Sequence, residues 1–71
     1  MATFTVKHNE QVLDSTLSRE EAVSLLKEHA TKFKARVHWL GVRLIVNTDE
    51  EIAYSIGMTD TRESFRIVTQ S

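Results

Sequence analysis

The chain has no cysteine and no proline, and only two glycines among its 71 residues. Without cysteine there is no disulfide framework, no thiolate zinc site and no cysteine nucleophile, so the fold must rest on packing; the redox compartment is left undetermined. Without proline or a Gly/Ser-rich run there is no linker, and two isolated glycines cannot build a phosphate-cradling loop. No apolar stretch approaches the ~20 residues needed to cross a bilayer. The opening MATFTVKHNE lacks the basic and apolar regions of a signal peptide, so the expected location is the cytoplasm, with no membrane partner. An excess of one charge is missing too: nine Lys and Arg against ten Asp and Glu leave −1, without the electrostatic footprint of a dedicated nucleic-acid binder. What remains is 41% hydrophobic and 27% charged, a composition that folds. At this length the expectation is one domain, residues 1–71, with room for a single core.

Residues 3–8 alternate, with Phe4 and Val6 apolar between polar neighbours, and read as a strand. Asn9 and Glu10 offer a two-residue turn, which pairs His8 with Gln11, Val6 with Leu13 and Phe4 with Ser15. Turn chemistry and hydrophobic register then agree on a hairpin. Next comes SREEAVSLLKEHATKFKA. Ser18 and Glu21 have the spacing of a capping box, and Ala22, Leu25, Leu26, His29, Ala30 and Phe33 form one helical stripe. Acidic residues open this helix and Lys32, Lys34 and Arg36 close it, as the macrodipole favours, so the spacing predicts a helix from 18 to about 34. Three strand-like runs follow, 36–47, 51–57 and 64–69, separated by NTDE and MTDTRE. The expected fold is α+β, in the order β-β-α-β-β-β. An N-terminal hairpin and a C-terminal three-stranded antiparallel meander carry one amphipathic helix on one face. The order of the hairpin relative to the meander is left open. One helix covers one side, so the other must meet solvent, a partner or a second copy.

The segment ARVHWLGVRLIVN, 35–47, decides which side chains lie on that open side. Its even positions Leu40, Val42, Leu44 and Val46 make an apolar row for the core, and Trp39, Gly41, Arg43 and Ile45 face outward. Pairing Val46 with Ile52 and Leu44 with Tyr54 sets Ile45 beside Ala53, Arg43 beside Ser55 and Gly41 beside Gly57. Placing Ile67 beside Tyr54 adds Val68 to the first outer row, Arg66 to the second and Ser64 to the third. The expected surface is a trough floored by Gly41 and Gly57, with Trp39 at its rim. A bulge at Gly41 would instead turn Val37 and Trp39 into the core.

A tryptophan, two arginines and an apolar strip make a recognition surface, because Trp and Arg dominate binding hot spots. The plainer reading is that Trp39 only shields weak backbone hydrogen bonds over a cross-strand glycine pair. The three histidines, His8, His29 and His38, lack metal-ligand spacing and read as satisfied, partly buried residues. The serines lack a local base, and a sheet with one helix leaves little volume for a pocket of about 300 Å³ or more. The expectation is therefore a non-enzymatic protein-interaction module of accessory, adaptor or inhibitor type, without cofactor or metal. It would bind an unidentified protein partner, or a second copy through the open face or a sheet edge, using Trp39, Arg43, Ile45, Ser55, Arg66 and Val68. The rival is RNA or single-stranded DNA binding by Trp39 with Arg43, Arg66 and Lys7, by base stacking and phosphate contact.

Overall fold

A computed structural model describes residues 2–70. β1 (Thr3–His8) and β2 (Gln11–Leu17) form the N-terminal hairpin. Asn9 takes a positive φ of 55° at the turn, a conformation asparagine tolerates, and His8 faces Gln11 as a two-residue loop requires. The register then departs from strict alternation. Lys7 pairs with Val12, Val6 with Asp14 and Phe4 with Leu17, in place of Val6 with Leu13 and Phe4 with Ser15. β1 takes four steps from His8 to Phe4 where β2 takes six from Gln11 to Leu17, so two residues are extra, and Thr16 absorbs part of the distortion at φ 60°. The gain is that Leu17, an apolar side chain packed against the core, stands opposite Phe4 where a serine would have been.

Helix α1 (Arg19–Val37) starts as its cap dictates. The Ser18 hydroxyl accepts from the Glu21 N–H at 3.2 Å, and the Glu21 carboxylate accepts from the Ser18 N–H at 3.1 Å. These bonds, the one from the Ser18 backbone first, hold the Glu21 carboxyl below its usual range. Ala22, Leu26 and Ala30 are buried, and Leu25 and Phe33 pack beside them. The helix runs past the expected end near 34. Ala35 and Arg36 are good helix formers, and Val37 falls four residues after Phe33 on the same stripe. A single 3₁₀ turn, His38–Leu40, follows, ending at Gly41 with φ 80°, a conformation that favours glycine. The long apolar run is thus divided: its first half closes the helix and only its second half is strand.

The meander consists of β3 (Val42–Asn47), β4 (Glu51–Ile56) and β5 (Thr61–Gln70), and the sheet order is β2-β1-β5-β4-β3, antiparallel throughout. β5 is the spine. Its Thr61–Arg66 half pairs with β4 and its Phe65–Gln70 half with β1, so the two hairpins dock on opposite halves and overlap only at Phe65 and Arg66. The ladder continues past each hairpin tip, where Asn9 N–H donates to Ser64 O at 2.7 Å and Ile67 N–H donates to Glu50 O at 2.9 Å. This stagger draws the body out to 42 × 18 × 17 Å.

The helix lies over β1, β5 and β4, sealing Val6, Leu26, Ile52, Tyr54 and Phe65, while β3 lies at its margin, with Val42 packed against the border of the core. Leu44 is consequently 45% exposed, although the apolar even row of this segment was expected beneath the helix. Burial of Tyr54 pushes its phenol pKa up.

Two outcomes follow for stability. Phe65→Ala, which empties the largest fully buried side chain, is expected to cost about 3–5 kcal/mol in a denaturant titration, most of what a domain this small possesses. Ser18→Ala is expected to cost about 1 kcal/mol as a lost N-cap. The lowered Glu21 pKa means that its contribution is present above the usual carboxylate value and is lost as pH falls through the folded-state value. Chemical-shift titration of Glu21 in Ser18→Ala should show its pKa rising only part of the way toward that of a free glutamate, because the backbone N–H of residue 18, the larger cause, remains.

Candidate functional site

The turn between β4 and β5 decides where the expected surface residues lie. Gly57 to Asp60 make a tight turn, with Asp60 N–H bonded to Gly57 O at 3.3 Å, the Thr59 and Thr61 hydroxyls 2.7 Å apart, and Asp60 at φ 51°. β5 therefore begins at Thr61 opposite Ile56, and Glu63 rather than Ile67 stands opposite Tyr54, a slide of four residues. An even slide preserves faces, so Phe65 and Ile67 stay inside and Ser64, Arg66 and Val68 stay outside. It changes their neighbours. Arg66 stands between Glu51 and Lys7, 3.6 Å from the Glu10 carboxylate, and Val68 stands opposite Thr5; neither adjoins Arg43 or Ala53. Arg62 takes the place expected of Arg66 beside Ser55, and Ser64 takes the place expected of Val68 beside Ala53.

The other expected neighbours are together. Arg43 faces Ser55 and Leu44 faces Tyr54. Ile45 is then an extra residue, so Val46 rather than Ile45 faces Ala53, and Asn47 rather than Val46 faces Ile52. Ala53 is fully buried although it lies on the open side, a small residue sunk among taller ones. Gly41 and Gly57 do face each other, joined by the Gly57 N–H donating to Gly41 O at 2.9 Å. Trp39 follows neither expected path. It is not a strand residue at a trough rim, and the reset of the chain at Gly41 does not bury it; it sits in the 3₁₀ turn, 68% exposed. Met58, in the β4–β5 turn and 72% exposed, is held alongside because its N–H donates to Leu40 O at 3.1 Å.

Trp39, Leu44, Ile45 and Met58 are thus four large apolar residues exposed on one run of backbone, the 3₁₀ turn, β3 and the turn bonded to them. Arg43 lies among them and, among the described residues, has no ion-pair partner. Arg62, in the same row, stands 3.8 Å from Glu51. Lys7 on β1 and Arg66, its partner on β5, lie away from the 3₁₀ turn and β3, so the basic residues expected to join Trp39 on nucleic acid are divided between two places.

The chain matches no protein-family model, no curated protein and no solved structure. The chemistry of the surface must speak for itself.

A polar cluster also escapes the alternation of the sequence. Glu63 points to the helix side of the sheet, where it accepts from Asn9 Nδ2 and lies 3.0 Å from His8 Nε2. The His8 ring stacks on Phe65 at 4.2 Å and meets Phe33 edge-on at 5.3 Å. Only the Asn9 turn and the β5 slide bring these groups together, so no local signal in the sequence announces them. His38, expected at the start of a strand on the core face, is exposed in the 3₁₀ turn with Nδ1 2.9 Å from Ala35 O. Among the described residues no three His, Cys, Asp or Glu side chains converge as a metal site. The sheet does hold a depression above the volume expected of it, about 370 Å³ on the open side, lined by Thr5, Lys7, Val12, Ser15, Val68 and Thr69. A second, of about 570 Å³, separates the start of α1 from Asp49, which Lys27 engages at 3.5 Å.

If Trp39, Leu44 and Met58 serve recognition and not packing, Trp39→Ala, Leu44→Ser and Met58→Ala should each leave the unfolding midpoint within about 0.5 kcal/mol of the parent. A larger loss for Trp39→Ala would mark it as a shield over the glycine pair.

Proposed function

We propose that this protein is a non-enzymatic protein-interaction module, an adaptor- or inhibitor-type accessory domain, whose binding surface is the edge formed by the 3₁₀ turn and β3. One observation carries this reading. Trp39, Leu44, Ile45 and Met58, four of the six large apolar residues exposed among the described residues, gather on the 3₁₀ turn, β3 and the turn bonded to that 3₁₀ turn, while Val12 and Val68 stand apart on β2 and β5. A domain this small has every reason to bury such side chains, and tryptophan with an arginine that has no ion-pair partner among the described residues is the composition of an interface centre. Arg43, Ile45 and Ser55 belong to this surface. Arg66 and Val68 do not, since they stand against β1. Nucleic acid is the weaker reading, because Arg66 and Arg62 both lie close to acidic groups and Lys7 is remote from the tryptophan.

The reading is tested by placing a photo-crosslinking side chain at Trp39 or at Leu44, and for comparison at Val12 on the opposite edge, in the whole protein within an extract of its native cells. Protein adducts at the first two positions and none at Val12 are expected. Adducts at Val12 alone, or a saturating change in Trp39 fluorescence on adding single-stranded RNA at low salt, would overturn it.

A further inference from the structure

We infer that the partner engages this surface as an extended segment that adds to the sheet as a sixth strand, antiparallel to β3, and that its central residue is acidic and flanked by apolar ones. This rests on the interaction-module reading and names the chemistry of its partner. The backbone supplies the first argument. The Gly57 N–H donates to Gly41 O, which makes Gly41 and Gly57 a hydrogen-bonded pair. Antiparallel pairs alternate, so Arg43 and Ser55 are bonded next and the N–H and C=O of Val42 and Leu44 point away from β4 to the free edge. β3 thus ends the sheet with two consecutive sets of unpaired donors and acceptors in the spacing a new strand requires.

The two edges are not treated alike. β2 is blunted by two register irregularities, by Thr16 at φ 60°, and by Asp14, whose carboxylate accepts the Ser15 N–H at 2.8 Å. On β3 the corresponding protection is one extra residue, Ile45, beyond Leu44, and one charge, Arg43. Between Val42 and Leu44 the edge is regular.

The side chains then state what fits. An added strand bonded to Val42 and Leu44 places two of its side chains beside theirs on the helix side, where apolar groups belong because Leu44 is already half-exposed there. The residue between them falls opposite Arg43 in a close, non-hydrogen-bonded pair, on the side where Arg43 and Arg62 share a row with Ser55. A carboxylate there finds an unpaired guanidinium. Residues beyond the triplet reach the exposed Trp39 and Met58. A second copy pairing through the same two residues would set Arg43 against its own image, like charge on like charge. Nor does the chain contain the required segment, because none of its ten acidic residues is flanked by apolar residues on both sides.

The test uses synthetic peptides of about nine residues built around Val-Asp-Val, with a Val-Lys-Val analogue and a version N-methylated at one central valine, titrated into the whole protein. Binding is followed by Trp39 fluorescence and by amide exchange. The acidic peptide is expected to bind about tenfold or more tightly than the lysine analogue, with the N-methylated one failing. Exchange should slow at the Val42 and Leu44 amides, and Arg43→Glu, at an exposed position, should reverse the order of preference. Equal affinity for both charges, indifference to N-methylation or to Arg43→Glu, protection away from β3, or a sedimenting dimer crosslinked through Leu44 would each overturn strand addition. If the peptides fail while adducts at Trp39 and Leu44 persist, strand addition falls and the interaction surface stands; if the adducts are missing as well, both fall.

Discussion

Everything in this fold hangs on β5. A strand of ten residues bonds to β4 along its first half and to β1 along its second, so one ladder joins two hairpins that do not otherwise share an edge. Phe65, where the halves overlap, sits at the centre of the core with Phe33, Tyr54 and His8 around it. The helix can seal only the width of sheet this overlap presents to it. Because β4 and β1 flank β5, β3 is pushed to the margin of the helix, so Val42 packs at the border of the core while Leu44 and Ile45 stay in water. The exposed surface is thus a geometric consequence of strand order and not a local peculiarity of β3.

The helix and the first hairpin turn were legible in the residues because their signals are local. A serine three before a glutamate, a stripe at helical spacing and an asparagine at a turn act over a few residues, and the structure places each where those rules put it. The end of the helix was less legible, since Leu40 fits both patterns: three after Val37 it continues a helical stripe, and two before Val42 it opens an alternating strand. Continuation of the stripe from Phe33 to Val37 wins over alternation. The bulges in β2 and β3 could not be read either, because each is settled by a partner strand: Leu17 is drawn opposite Phe4, and Val46 opposite Ala53.

Of the candidate site, the pairing of Arg43 with Ser55 and of the two glycines was legible from the β3–β4 pattern. The contributions of Arg66 and Val68 were not, for a reason that lies in Glu63. A pattern of alternating apolar residues treats this glutamate as loop and starts the last strand at Ser64. In the fold it is a strand residue on the helix side, tolerated there because His8 and Asn9 meet its carboxylate. Two polar partners from a distant turn therefore set the register of β5, and with it which basic residue stands beside Ser55. No rule applied to residues 61–70 alone could recover that.

In the proposed interaction, Arg43 joins the demands of solubility to those of recognition. An edge strand reading Val-Arg-Leu-Ile-Val would pair with its own copies were it uninterrupted, and a regular, apolar, unpaired edge is the usual seed of such assembly. A single guanidinium at the point where two copies would meet opposes that pairing by placing like charges face to face. In the proposed strand addition the same charge favours a strand carrying a carboxylate at that position, so that one side chain would discriminate between self and partner. Its cost to the free protein is small, because the guanidinium remains exposed and hydrated. The edge can then stay open without being indiscriminate, which is the condition for a surface that the helix does not cover to be retained in a chain of this size.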